Sequence, residues 1–444
     1  MPCAAGAPAR LRGPRTSEPR HGRQSAAGPP MSQACSDLSG EDAEVLGAWQ
    51  RDGSGRFDRA EIRHLGGQRG RGLVLKGRPA AKGEVVIRDR PLVAIQHAFS
   101  RLAVPCCGSC LRMVGDLELH LRRMLGDRRV AGLREALRSP VLRHPQLQLP
   151  CAEGWGPPLP CPADGCRELF CGEACRAREL AAGPHRILCA ELREAPRKRK
   201  WEEFQAHALA SHENFILAAR AYAWAICRVV HEGMTVSRAM LELVSLSCAP
   251  WHLLPAASGR GSTELATGAP RLAALRKSLA LLRDVLLPHY DDPKLGLSRL
   301  FQEDFYDRLL GQFDLVNVSI EYGHPLDGAL RRASADPDSE LRPLASALRG
   351  EPIDAALRRL GGAGEGQLPP FLGVGLARAV GLLNHSCGPN CEVDYGEDAE
   401  ALVRTLRQVE PGEELTISYV DEDLPFRQRR RLLLREYLFA CRCP

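Results

Sequence analysis

Cysteines and one histidine recur in short pairs along the first half of the chain: Cys107-x2-Cys110, Cys161-x4-Cys166, Cys171-x3-Cys175 and His185-x3-Cys189. Two soft donors a few residues apart let one turn present both to a single ion, which is how tetrahedral zinc sites are assembled. Seven cysteines and one histidine make two sets of four. Their order suits a cross-braced double site. The first and third pairs would share one zinc, and the second pair would share another with His185 and Cys189. Sites closed by four protein ligands leave no open position, so the chemistry expected of them is structural. Cys106 and Cys151 compete with Cys107 and Cys161, and the regular pairs favour the latter two. Seventeen cysteines would signal disulfides in a small secreted domain. Here the chain is 444 residues long and opens on Arg, Pro and Ala with no apolar core, so reduced thiols on metal are the expectation.

A second concentration of chemistry is GLLNHSCGPNC, from Gly381 to Cys391. It sets an amide, an imidazole, a hydroxyl and thiols side by side behind an apolar run. Taken alone it reads as a polar turn with satisfied hydrogen bonds. Far upstream lies RGRGL, Arg69 to Leu73, where Gly70 and Gly72 would let the backbone approach a ligand closely; alone, it reads as a flexible basic loop. Downstream, EELTISYV ends a β-type segment with Tyr419, which alone reads as a packed strand tyrosine.

The elements that would position these groups follow from composition and period. Residues 1–38 mix Pro, Gly, Ala and Arg without a period and read as disordered, and a short helix follows Ser39. Gln50–Glu61, QRDGSGRFDRAE, resembles a calcium loop of the EF-hand type. Asp52, Ser54, Gly55, Asp58 and Glu61 match loop positions, but Gln50 replaces the first carboxylate and no second loop is visible. Residues 69–96 read as short strands between turns, and residues 201–319 carry helical spacing. Residues 324–368 are charged, with helical pieces and a Gly-rich end; strand-like sequence returns at ALVRTL and EELTISYV, and RQRRRLLLRE closes the chain as an amphipathic helix. β-type sequence therefore occurs twice, separated by a cysteine-rich and a helical insert. One β domain built from distant segments, in an α+β chain, is the expectation.

A net charge of +6 permits an acidic partner without demanding one. The basic run REAPRKRK, ending at Lys200, reads as a nuclear import signal, a phosphate contact or a solvated linker. No basic surface interleaved with aromatics is visible, so sequence-specific nucleic-acid binding is not expected. ILAARAYAWAICRVV is interrupted by Arg220 and Arg228 and falls short of the about 18 to 20 apolar residues of a membrane span.

The NHSC stretch followed by EELTISYV resembles the SET domain of protein-lysine methyltransferases. The cysteine-rich segment resembles a MYND zinc finger, although the gap from Cys110 to Cys161 and the CPADGC spacer are wider than usual. A MYND finger inserted in a split SET domain is the pattern of the SET and MYND domain-containing (SMYD) family, and the resemblance runs over roughly residues 69–444. It implies an α+β fold with a split SET-domain β core of small curved sheets, a knot-like crossing at the Asn-His-Ser run, a MYND insert and helical inserts. The implied division is 1–66 as disordered N-terminus with the degenerate calcium-loop-like segment, 67–105 as the first SET part and 106–190 as the finger. Residues 201–368 would form the helical insert, 369–423 the catalytic SET part and 424–444 an incomplete post-SET tail.

The same resemblance implies transfer of a methyl group from S-adenosylmethionine to a lysine of a histone or other protein. Arg69, Gly70, Arg71, Gly72, Asn384, His385, Tyr419 and Phe439 would bind the cofactor, with Tyr419 also catalytic and Tyr419 or water taking the lysine's proton. Cys387, Cys441 and Cys443 would hold a post-SET zinc, whose pattern asks for a further cysteine beyond Pro444; Cys391 is the substitute within the chain. A proline-rich peptide partner at the finger and a nuclear or cytoplasmic location are implied as well. The rival readings are a non-catalytic MYND adaptor with an inactive SET core and a zinc-dependent ubiquitin ligase.

Overall fold

The computed structural model describes residues 40–51, 53–66, 69–126, 158–189, 195–255, 265–290, 292–349, 357–360 and 367–443. In chain order the elements that matter are α1 (Gly40–Gln50), β1 (Ala60–Gly66), β2 (Gly70–Leu75), β3 (Val85–Asp89), β4 (Val93–Gln96), α2 (Ala98–Ala103) and α3 (Leu117–Leu125). The insert continues with β5 (Leu159–Pro160), β6 (Leu169–Phe170), α4 (Glu173–Ala181) and α5 (Pro184–Leu188). Helices α6 (Ala195–Ser211), α7 (Asn214–Glu232), α8 (Val236–Val244), α9 (Ala269–Leu286) and α10 (Glu303–Val316) follow, then β7 (Val318–Tyr322), α11 (Asp327–Ala335) and α12 (Arg342–Arg349). The C-terminal part holds β8 (Phe371–Leu376), β9 (Asn384–His385), β10 (Cys391–Tyr395), β11 (Ala401–Thr405), β12 (Glu414–Ile417) and α13 (Phe426–Glu436).

The β core is a set of small sheets, each stitched from both halves of the chain: β1-β2-β12-β9, β10-β11-β3 and β4-β8-β7. This is the α+β arrangement expected from β sequence that occurs twice. β2 reads GRGLVL, and its apolar half, Leu73 to Leu75, is buried while its glycine half faces the site. β12 pairs antiparallel with β2, Leu415 opposite Leu73, and parallel with β9, Thr416 opposite Asn384. Two segments more than three hundred residues apart thus meet across one strand. α7 takes the apolar stretch interrupted by arginines and buries Phe215, Tyr222 and Ile226 in the main core. Among the described residues no helix is long and apolar enough to cross a membrane.

The first sheet begins earlier than residue 67. β1 pairs with β2 from Ala60–Leu75 to Gly66–Gly70, and Val45, Trp49 and Phe57 join the main core. The calcium-loop-like segment therefore leads from a helix into a strand, where an EF-hand needs a second helix. Glu61 lies on β1 and meets Arg63 at 2.8 Å; Asp52 lies outside the described residues. The basic run is not a solvated linker. It starts α6, where buried Arg197 donates to the carbonyls of Val285 and Ile187, and Lys200 pairs with Asp284 at 3.0 Å.

The cysteine-rich insert is bolted to the core by specific polar contacts. Arg220 on α7 donates to Gly108 O at 2.6 Å, Cys227 donates to Gly183 O at 3.2 Å, and Tyr322 on β7 donates to Leu111 O at 2.5 Å. Leu111 itself sits at φ 61°, a left-handed conformation unusual for a leucine, immediately after Cys110. At the same seam two buried imidazoles make a chain: Leu326 N–H to His324 Nδ1, His324 Nε2–H to His120 Nδ1, and His120 Nε2–H to Val114 O. The backbone donor at one end and the backbone acceptor at the other fix both tautomers.

Candidate functional site

The insert gathers its donors as the spacing predicts. Cys107, Cys110, Cys171 and Cys175 form one group, and Cys161, Cys166, His185 and Cys189 form another, each with its ligand atoms within 4.8 Å of one another. A tetrahedral zinc with Zn–S near 2.3 Å separates its sulfurs by about 3.8 Å. Cys110–Cys171 at 3.7 Å, Cys171–Cys175 at 3.5 Å and Cys161–Cys189 at 3.9 Å fit that edge. His185 Nε2 stands 3.8 Å from Cys166 Sγ and 3.3 Å from Cys161 Sγ. The donor set and spacing thus fit two closed sites. Cys106 is buried outside both groups and turns its thiol to Val104 O at 3.7 Å. Cys151 lies outside the described residues.

A third group joins His385, Cys387, Cys441 and Cys443. Cys387 and Cys441 are 3.6 Å apart, again a tetrahedral edge. Cys391 does not belong to it. It is buried on β10 opposite Thr405, and burial pushes its thiol up to about 12, so it is inert and points into the core.

Next to this group the tail returns over the NHSC stretch. β9 places Asn384 and His385 beside β12, and Ser386 N–H continues the ladder to Ile417 O at 2.9 Å. Asn390, at the end of the stretch, staples it down. Its Nδ2 donates to Glu413 Oε1 and Glu414 O, and its Oδ1 accepts from Thr416 N. Asn384 Nδ2 donates to Arg71 O at 3.1 Å and to Glu414 Oε1 at 2.9 Å. Gly72 leaves room for this approach: a Cβ there would lie 2.5 Å from Leu65 Cδ1 and 2.7 Å from Asn384 Nδ2, so the ends of both side chains would have to move. Gly70 has φ 57°. Arg69 pairs with Glu414, and Arg71 donates to Ser245 O at 2.5 Å.

Tyr419 stands in an aromatic cage. Its ring is 4.8 Å from Tyr437 and 6.3 Å from Phe439, while His385 is 5.4 Å from Tyr419 and 5.9 Å from Phe439. The Tyr419 hydroxyl donates to Leu383 O at 2.5 Å, and Tyr437 OH donates to Tyr419 O at 3.3 Å. Burial raises the Tyr419 phenol above its ordinary value, with Tyr437 and Glu414 adding to the shift, so it is a hydrogen-bond donor at neutral pH and not a base. Burial, with Arg429 nearby, lowers His385 to about 4, and the ring is neutral.

Arg69, Gly70, Arg71, Gly72, Asn384, His385, Tyr419 and Phe439, all expected from the sequence, are thus brought to one region by β2, β9, β12 and the tail. Sequence reasoning missed Glu414 and Tyr437. The signal for Tyr437 is its spacing, two positions before Phe439. Leu438 between them has φ 61°, a strained left-handed backbone that turns both rings into the cage.

With this geometry in hand, the comparisons with known proteins are specific. A SET domain model matches residues 286–420. Histone-lysine N-methyltransferase ATXR2 of Arabidopsis thaliana is 25% identical over 423 residues, covering 81% of this chain and 84% of the relative. Mouse protein-lysine N-trimethyltransferase SMYD5 is 26% identical over 412 residues, covering 86% of this chain and 85% of its own length. Mouse histone-lysine N-methyltransferase SMYD3 is 44% identical over 72 residues, a local match covering 16% of this chain and 17% of that protein.

Proposed function

The chain belongs to the SET and MYND domain-containing family, and from that premise we propose that it is a protein-lysine N-methyltransferase that uses S-adenosylmethionine. The observation that carries this reading is the meeting of β2, β9 and β12 under the Tyr419 cage. It unites a tight glycine strand, a carboxamide and a ring of aromatics in one half-buried site.

The cofactor supplies a methyl group on a sulfonium, and this chain's residues do the rest. Gly70 and Gly72 open β2 to close approach, and Asn384 with the His385 backbone would hold the cofactor's polar ends. Phe439, Tyr437 and Tyr419 would wall the channel. Aromatic faces favour a cation by about 0.5 to 2 kcal/mol. The Tyr419 hydroxyl donates to the Leu383 carbonyl, so both oxygens keep acceptor lone pairs that could take the N–H groups of an incoming amine. Catalysis here is alignment and electrostatics, with little covalent work for the protein. Water, and not Tyr419, would take the lysine's proton. The eight donors of the insert would hold two zinc ions as a MYND finger, and Cys387, Cys441 and Cys443 would hold a post-SET ion. The knot-like crossing at Asn384–Ser386, a proline-rich peptide at the finger and a nuclear or cytoplasmic location belong to the same proposal.

The test is transfer of labelled methyl from S-adenosylmethionine to lysates of cells lacking the enzyme, with cofactor binding measured in parallel. Tyr419→Phe should retain binding and lose labelling. Binding without transfer by the wild-type chain moves the reading to a binding adaptor, and no binding by a folded, zinc-loaded chain ends it.

A further inference from the structure

Two contacts decide what the His385 ring does. Tyr419 N–H lies 3.1 Å from His385 Nδ1. A backbone N–H only donates, so Nδ1 accepts and the proton of the neutral ring sits on Nε2. Nε2 in turn lies 3.4 Å from Cys387 Sγ. Its distance from the three sulfurs, all within 4.8 Å, invites the reading that His385 is a fourth metal ligand. The tautomer forbids it. Ligation takes the Nε2 lone pair, moves the proton to Nδ1 and sets that N–H against the N–H of Tyr419.

We infer that His385 is a positioning residue, whose Nε2–H donates to the Cys387 thiolate while its Nδ1 holds the backbone of Tyr419. The inference rests on the proposed post-SET metal site and deepens it. Cys387 N–H also points at Cys443 Sγ at 3.4 Å, so the tail sulfurs sit in a small net of donors that favours thiolate charge. One imidazole then joins the metal-bearing tail to the tyrosine that walls the channel. It also sits at the edge of the cage, tilted against both Tyr419 and Phe439. Metal at the tail thereby fixes Tyr419 through one side chain, without touching substrate. Outer-shell partners of this kind are typically worth about 10- to 100-fold in metal affinity or activity.

The experiment uses the full chain with isotope-labelled histidine, loaded with a spin-half cadmium isotope. Nitrogen spectra should show His385 as the neutral, Nε2-protonated ring with no scalar coupling to cadmium. Coupling to cadmium, or a proton on Nδ1, overturns the inference. A cycle of His385→Gln and Cys387→Ser, read by S-adenosylmethionine affinity, tests the coupling. Each single change should weaken binding about tenfold, and the pair should be little worse than either alone. Multiplying effects overturn the link. Retention of two ions in the insert checks that each variant is folded. A wild-type chain that binds no cofactor counts against the proposed function, and the cadmium spectrum then decides the role of His385 by itself.

Discussion

In the insert, every ligand pair encloses a spacer of two to four residues, and alternate pairs close on each other, from Cys107 to Cys189. In the tail, a lone Cys387 meets the Cys441-x-Cys443 pair from 54 residues away, no farther in the chain than Cys110 and Cys171, 61 apart, and the imidazole beside it accepts from the backbone N–H of Tyr419. Both clusters use thiolates, and they are embedded differently. Among the described residues, the small core around the ligands contains six buried residues, three of which are ligand cysteines, with Val114, Ala163 and Phe170 as the rest, while Leu111, Met113, Leu117 and Leu121 join a second core with Tyr322 and Phe371. Around the ligands themselves so little apolar surface is set against chain entropy that metal would supply much of the local stability. The tail packs on the large main core, which Leu438 contacts. Metal in the insert would therefore act as a folding device, and metal in the tail as a device for ordering the site.

The largest effect should come from breaking the insert. Cys175→Ala leaves the first site with three ligands, and structural zinc in small fingers contributes about 10–16 kcal/mol of apparent binding energy at neutral pH. Zinc content should fall by one ion per chain, and amide protection across Cys107–Cys189 should collapse. Retained protection would mean that the insert folds by packing alone. Cys443→Ser should do the opposite. It should lose the tail ion with a small change in melting temperature, while S-adenosylmethionine binding weakens at least tenfold, about 1.4 kcal/mol. A large drop in melting temperature with unchanged cofactor affinity would erase the contrast between the clusters.

How much of this was legible without coordinates follows the same division. Ligand pairs are local, so the grouping of the insert could be read from spacing. The strands at 69–96 and the helices from Trp201 onward were legible because their apolar periods are strong. β1 was not, and its residues fell into a segment expected to be disordered up to residue 66. AEIRHLG carries two charged or titratable side chains in its centre and becomes a strand only by pairing with β2. Arg197 read as one of several basic residues in a linker, yet it is buried on two backbone carbonyls, a fate set by α9 and α5 and not by its neighbours in sequence. Cys391 stood as a fourth-ligand candidate because it is near Cys387 in sequence. β-strand alternation turns it into the core instead.

The glycine strand gives a sharper probe of the site region. Gly72→Ala drives a methyl into Leu65 and the Asn384 amide, an overpacking worth about 1–3 kcal/mol. The strain falls on Asn384, so cofactor affinity should drop about tenfold or more in a titration. Gly388→Ala, in the same NHSC stretch, meets open space and should change nothing. Equal effects from the two would show that the site tolerates backbone shifts and that the Gly72 approach is not needed.

A further effect sits where the insert meets the core, and it depends on pH. Burial lowers His120 to about 4 and His324 well below its ordinary value, with His120 adding to the lowering at His324. Asp116 and Arg123 lie close enough to adjust His120 in opposite directions. In the unfolded chain both histidines titrate near 6.5. Below that pH the unfolded state binds protons that the folded state refuses, so folding stability falls as pH drops from about 6.5 toward 4. The slope approaches 1.4 kcal/mol per pH unit for each ring. The chain of hydrogen bonds from Leu326 to Val114 allows neither ring to charge without breaking, so acid should loosen this seam before it reaches the zinc thiolates. Denaturant melts at pH 7.5 and 5.5 should show a clear loss in the wild type. The loss should shrink in a His120→Leu, His324→Leu double variant, whatever its absolute stability. An unchanged pH slope in that variant would assign the acid sensitivity to protonation of the metal ligands themselves, and the insert would then be governed by its zinc alone.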